Sequence, residues 1–172
     1  MQLAIALGIA IALVGATILL HYEVLRGTSG LIPKLSIPLR SRILVVIAAV
    51  FLAHLLEVAL YAAAYFLMQD VLGLGVVAGA LGGGAPDFFY FSISSFTTPG
   101  VGDVYAHGPL RLVAGVEALN GFILIGWSAS FTYLSMEKFW GQHRSPLAAR
   151  NARKRVGRVS TDWPELTSRP EP

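Results

Sequence analysis

Two glycines alternate with other residues in Thr97-Thr98-Pro99-Gly100-Val101-Gly102-Asp103, and a carboxylate follows at once. Glycine tolerates positive φ, so a Gly-x-Gly segment can turn successive carbonyls along one line where an ordinary L-residue run cannot. Such oxygens at membrane depth are tolerated only where protein buries them or where they line an aqueous path. Rings of them can replace the hydration shell of a bare cation. The chemistry open to this stretch is therefore cation coordination by backbone oxygens.

A second set of polar residues lies in an apolar stretch. His54, Glu57 and Tyr61 are spaced i, i+3 and i+7, which places them on one face of a helix. Ionisable groups inside a membrane face protein rather than lipid and are functional candidates. Two readings stand: a polar clamp tying this helix to a neighbouring re-entrant helix or to Glu117, and a proton-sensing or proton-relay role, since histidine titrates near neutral pH. The chain has no cysteine, hence no disulfide, thiolate site or thiol nucleophile.

The elements that must position these residues follow from composition. Of 172 residues, 55% are hydrophobic and 13% charged. Soluble domains carry about a quarter charged residues, roughly twice this share. Mean hydropathy is +0.64, and the charges cluster between long apolar runs, as in an integral membrane protein. The net charge of +3 comes mainly from one loop and the tail, so no nucleic-acid partner is expected.

Residues 1–20 read as a first transmembrane helix, kept rather than cleaved as a leader because no basic segment precedes the apolar run. Residues 21–42 read as a basic connector holding Arg26, Lys34, Arg40 and Arg42, broken by Gly27, Gly30, Pro33 and Pro38. The positive-inside rule puts it in the cytoplasm and the N-terminus outside. An outer helix is expected over 43–68 and an extracellular loop without Lys or Arg over 69–86. The apolar part of that loop, Val71 to Leu81, either caps the outer helix or sits in the interface. Residues 87–97 are too few to span and read as a re-entrant helix with Asp87 as N-cap. Its negative C-terminal end would point towards a cation; an interfacial aromatic helix and an ordinary turn are the plainer alternative. A long helix is expected over 109–140, with Pro109 in its first turn. Residues 141–172 read as a cytoplasmic basic tail, partly disordered, suited to anionic lipid headgroups or simply solvated.

The stretch resembles the selectivity filter of the potassium channel pore-domain family, whose usual form is Thr-Thr-Val-Gly-Tyr-Gly-Asp. Five of seven positions match, Pro99 and Val101 being the departures. The likeness extends from Tyr90-Phe91-Ser92 through Val104-Tyr105 to Arg111-Leu112-Val113-Ala114, and roughly fifty residues, Pro86 to Tyr133, align with the two-helix pore module. The resemblance implies an all-α membrane protein with three transmembrane helices, a re-entrant pore helix and a selectivity-filter loop, assembled as a homotetramer in the cell (inner) membrane. It implies ion-binding carbonyls at Thr98, Pro99, Gly100, Val101 and Gly102, with potassium at Thr98, Gly100 and Val101. Asp103 matches the carboxylate behind the outer mouth, with Ser94 and Tyr90 as supports; Ser94 replaces a glutamate found in some members. Phe122, Ile125 and Ala129 would face the cavity and Glu117 the outer helix, while Gly121 would serve either as a gating hinge or as a close-packing site.

The implied function is a potassium-selective channel subunit, with no enzymatic activity and no cofactor beyond permeant potassium. Pro99 fixes its own φ and removes an N–H, and Val101 removes the ring that braces the family's filter, so weak selectivity among monovalent cations is an alternative. A non-conducting accessory subunit is another. Gly100-Val101-Gly102-Asp103 also fits the Gly-x-Gly-Asp motif of intramembrane aspartyl proteases, but that chemistry needs two carboxylates sharing a proton. Asp70 ends a helix and Asp162 lies in the tail, so Glu57 or Glu117 would have to substitute.

Overall fold

The computed structural model describes residues 1–80 and 82–159, with side chains described as far as residue 138 apart from residues 39 and 40. The chain divides into two units, Met1–Tyr133 and Leu134–Pro172. The first contains α1 (Gln2–Leu31), a 3₁₀ turn (Ile32–Lys34), α2 (Leu39–Phe66), a π turn (Leu67–Val71), β1 (Val76–Gly79), α3 (Ala85–Thr97), β2 (Val104–His107) and the start of α4 (Leu110–Val159). Among the described residues, three helical stretches are long and apolar enough to cross a membrane: Gln2–Lys34, Ser41–Val71 and Leu110–Lys138. The fold is that of an all-α membrane channel with a small added ribbon.

The first helix does not end at residue 20. It runs to Leu31, and Gly27 and Gly30 lie inside it. Each glycine costs about 1 kcal/mol in a helix interior, yet a helix satisfies its own backbone hydrogen bonds where lipid cannot. The stripe that holds it is Ala6, Ala10, Thr17, His21, Leu25 and Thr28, all buried at spacings of three, four and seven. Ala6 and Ala10 are small, so α1 lies close against the cluster that includes Tyr61, Tyr65 and Val113. The expected 21–42 connector thus shrinks to the turn around Pro33 and Pro38. His21 is a bundle residue rather than a loop residue.

Between α2 and α3 the chain is not a plain loop. The π turn closes with Leu72 N–H donating to Leu67 and Leu74 N–H to Met68. β1 then pairs antiparallel with β2, Val76 opposite His107 and Gly79 opposite Val104. This explains the apolar character of Val71 to Leu81: Leu74 and Val77 are buried in the main core. Gly75 makes the approach possible, since a Cβ there would fall 2.3 Å from the His107 carbonyl oxygen.

The re-entrant helix α3 begins two residues before the expected 87. Its N-cap is Gly84, not Asp87. Asp87 lies in the first turn, where its carboxylate accepts the backbone N–H groups of Gly82 and Gly83 at 3.2 and 2.6 Å. The carboxylate thus folds the preceding glycines back onto the helix start. Phe88, Phe91, Ser92 and Phe96 form its buried face.

In the second unit the backbone is helical to Val159, so the basic stretch from residue 141 continues α4. Alanine, arginine and lysine, strong helix formers, dominate it and outweigh Pro146. The lipid-binding role expected of Arg144, Arg150, Arg153, Lys154, Arg155 and Arg158 concerns side chains outside the described ones. The disorder expected at the end of the tail falls at 160–172, outside the described residues.

Candidate functional site

The loop from Thr98 to Asp103 leaves the C-terminus of α3 and enters β2. Positive φ recurs at every second residue: Thr98 at 57°, Gly100 at 62° and Gly102 at 79°. Thr98 is the only non-glycine among the described residues with positive φ, and it directly precedes Pro99. A left-handed L-residue costs about 1–2 kcal/mol, so its neighbours must enforce the turn. Pro99 forbids continuation of α3, because the residue before a proline is kept out of the right-handed helical region. The Thr98 N–H still reaches back to Ser95 at 3.2 Å.

Among the described residues, the carbonyls of Thr98 to Gly102 accept no hydrogen bond. Pro99, Gly100, Val101 and Gly102 are exposed on the single protomer. These acceptors have no protein partner and stand open to water or to a ligand. The loop's outer end, by contrast, is fastened twice. The Tyr90 hydroxyl donates to Asp103 Oδ2 at 2.8 Å, and Ala80 N–H donates to the Asp103 carbonyl at 2.9 Å. Asp103, in accepting that hydrogen bond, pushes the Tyr90 phenol above its ordinary range. Gly79 permits the second contact, since a Cβ there would meet the Asp103 carbonyl oxygen at 2.0 Å. Ser94 lines the same shallow groove as Thr98, Gly100, Val101 and Gly102. The ribbon thus adds a backbone fastening at Asp103 beside the support expected of Asp103, Ser94 and Tyr90.

On α4 the buried side chains among the described residues are Leu110, Val113, Glu117, Asn120, Leu124 and Ser128, a stripe of three- and four-residue steps. Phe122, Ile125 and Ala129 lie off it and are exposed, Phe122 at 70%. Gly121 is buried, and a Cβ there would lie 2.2 Å from the Phe96 carbonyl oxygen at the end of α3. Close packing is thus the reading the contacts give for Gly121.

The polar residues between the helices form three sets, and His54 and Glu57 lie in a different one from Glu117. Glu117 receives hydrogen bonds from Tyr65 on α2 and from Ser92 on α3, the latter at 2.5 Å, and Ser92 also bonds the Val58 carbonyl. Glu57 instead meets His21 of α1 and His54 of its own helix, both at 2.8 Å. Ser128 of α4 joins the two imidazoles from the other side. Tyr61 belongs to neither group: its hydroxyl accepts from Asn120, which also bonds Thr17. His21, Ser128 and Asn120 were missed. His21 was hidden by the polar residues after it, although it continues the Thr17 stripe by one turn, and Ser128 sits eleven residues from Glu117 on the same face of α4.

A family model described as ion channel matches residues 43–137, more than half of the chain. The chain belongs to the ion channel family. The matched domain starts within α2, includes α3 and the loop, and ends in α4; α1 lies outside it. No curated protein and no solved structure matches the chain. The ion channel family is not an enzyme family. The geometry agrees with that against a protease, since Asp103 shares no hydrogen bond with Glu57 or Glu117 among the described residues.

Proposed function

We propose that the chain is one subunit of a potassium-conducting channel in the cell membrane, with the carbonyls of Thr98, Pro99, Gly100, Val101 and Gly102 as the ion-coordinating groups. The observation that carries this reading is the row of unpaired carbonyls, with left-handed backbone at every second residue, anchored outside by Asp103. Oxygens left unpaired in lipid would each cost several kcal/mol, at least about 2 by transfer measurements. Against a dehydrated cation they replace lost water ligands. One chain supplies one loop, so a ring of oxygens needs copies of the chain, and closed cyclic symmetry is the usual solution. Four copies around the conduction axis would give each potassium ion two stacked rings.

Phe122, Ile125 and Ala129 would line the cavity below the loop. The N-terminus would lie outside and the end of α4 in the cytoplasm, a topology that the positive-inside bias of Arg26, Lys34 and Arg42 near the α1–α2 turn supports. Potassium is the preferred ion in this reading because backbone carbonyls, not side chains, provide the ligands, and neither Pro99 nor Val101 removes a carbonyl. Val101, 62% exposed, lacks the tyrosine that would brace the loop against its own helix, and that favours selectivity below the family's usual level as the second reading. Potassium-loaded proteoliposomes test the proposal. Purified wild-type chain should release potassium when the counter-ion path is opened with a proton carrier. Absence of flux from correctly inserted protein would favour a non-conducting accessory role.

A further inference from the structure

The group formed by His21, His54, Glu57 and Ser128 takes no part in the ion path. His21 comes from α1, His54 and Glu57 from adjacent turns of α2, and Ser128 from α4. His21 and Glu57 are wholly buried, while the His54 side chain is 19% exposed and gives the group its contact with the outside. The arrangement has a specific symmetry. Each imidazole places Nδ1 on a different oxygen of Glu57, at 2.8 Å, and each places Nε2 on Ser128 Oγ, at 3.2 and 3.0 Å.

Counting hydrogens exposes a conflict. If both imidazoles are neutral and donate from Nδ1 to the carboxylate, both Nε2 lone pairs point at one hydroxyl, which has one hydrogen to give. One contact is then left without a proton in a buried site, where unmade hydrogen bonds are expensive.

We propose that this group is a binding site for a divalent first-row transition metal of the zinc class, held by the Nδ1 atoms of His21 and His54 and the carboxylate of Glu57. The donor atoms of these three residues already lie within 4.8 Å of one another. Two imidazoles and a carboxylate are a donor set that suits zinc and its neighbours. With the metal on Nδ1, each neutral imidazole carries its hydrogen on Nε2, and both can donate to the two lone pairs of Ser128 Oγ. The conflict disappears, and the hydroxyl becomes the group that orients both ligands, as outer partners of metal-bound histidines do.

A divalent ion with one carboxylate leaves one positive charge in the bundle, and the Phe96 ring in the last turn of α3 packs edge-on to His54, centroids 5.5 Å apart. No lysine or arginine occurs in α2 after Arg42, nor in α4 between Arg111 and Lys138. A loaded site would tie α1, which lies outside the ion channel domain, to the two helices of that domain.

The test needs no conduction and so stands apart from the channel proposal. Full-length chain in detergent, stripped with chelator, is titrated with cobalt(II) and zinc, and bound metal is counted by mass spectrometry. One metal per chain is expected, with an intense visible cobalt absorption typical of low coordination number, displaced by zinc. Glu57→Gln and His21→Asn should abolish it; His54→Gln, at the least buried ligand, serves where those fail to fold. Ser128→Ala should retain the metal with affinity lower by about 10–100-fold. No binding at stoichiometric metal, or binding that persists in all three ligand variants and disappears in His107→Asn, would overturn the proposal. So would nitrogen-15 histidine spectra in which added zinc changes nothing because a doubly protonated imidazole already closes the ring.

Discussion

Gly100 is the middle of the loop's three left-handed residues. Its φ is +62°, and nothing lies within 4 Å of where a Cβ would stand. Gly100→Ala should therefore cost about 1–2 kcal/mol of conformational energy per chain without a clash inside the chain, leaving its fold intact. If the Gly100 carbonyl binds ions, potassium flux in the variant should fall to background; wild-type flux would remove this residue from the path. Tyr90 and Asp103 make the companion case. Tyr90→Phe removes the 2.8 Å bond to Asp103 and should shorten open times with little change in melting temperature. The Tyr90 phenol is held above its ordinary value, chiefly by that bond, so its neutral form is favoured. The bond is then fully present below the ordinary tyrosine pKa of about 10 and is lost only as pH rises through the higher folded value. Open times at this latch should be flat from about pH 6 to 9 in wild type; a transition in that window that Tyr90→Phe abolishes would contradict the assignment. The motif itself was plain in the sequence because glycine spacing and a trailing carboxylate report backbone geometry directly. The second fastening, Ala80 to the Asp103 carbonyl, was not, since it depends on strand pairing between residues more than twenty apart.

At the scale of elements, the helices were legible and their ends were not. Periodicity and length marked three spans and one short helix. Gly27 and Gly30 read as breakers because propensity is a soluble-protein measure, and a membrane forces the backbone to satisfy itself. The ribbon was concealed by glycines that signalled turns but in fact allow β1 and β2 to approach. The contrast between Gly121 and Gly126 gives an element-scale prediction. A Cβ at Gly121 meets the Phe96 carbonyl at 2.2 Å, whereas at Gly126 nothing lies within 4 Å. Gly121→Ala should destabilise the α3–α4 contact by about 1–3 kcal/mol, seen as a lower melting temperature. Gly126→Ala should be neutral or stabilising by up to about 1 kcal/mol. A Gly121→Ala protein of wild-type melting temperature with altered gating alone would make Gly121 a hinge rather than a packing site.

Among the described residues, three apolar helices accompany one short helix and one exposed loop, so under the proposed function a ring of loop carbonyls needs several chains. Channels of this family are typically oligomeric. Native mass spectrometry from detergent should give four chains per particle, and a conducting monomer would require a pore of another design. Cysteines placed near Met1 and near Ser168 should react with an impermeant reagent from opposite faces. The central claim is that the carbonyls of Thr98 to Gly102 carry potassium, and bilayer recording of the purified chain tests it most directly. With potassium on one side and sodium on the other, the reversal potential should shift towards the potassium equilibrium value, and Gly100→Ala should carry no current. A reversal potential near zero would leave a nonselective pore, and unchanged current in Gly100→Ala would place the conduction path elsewhere.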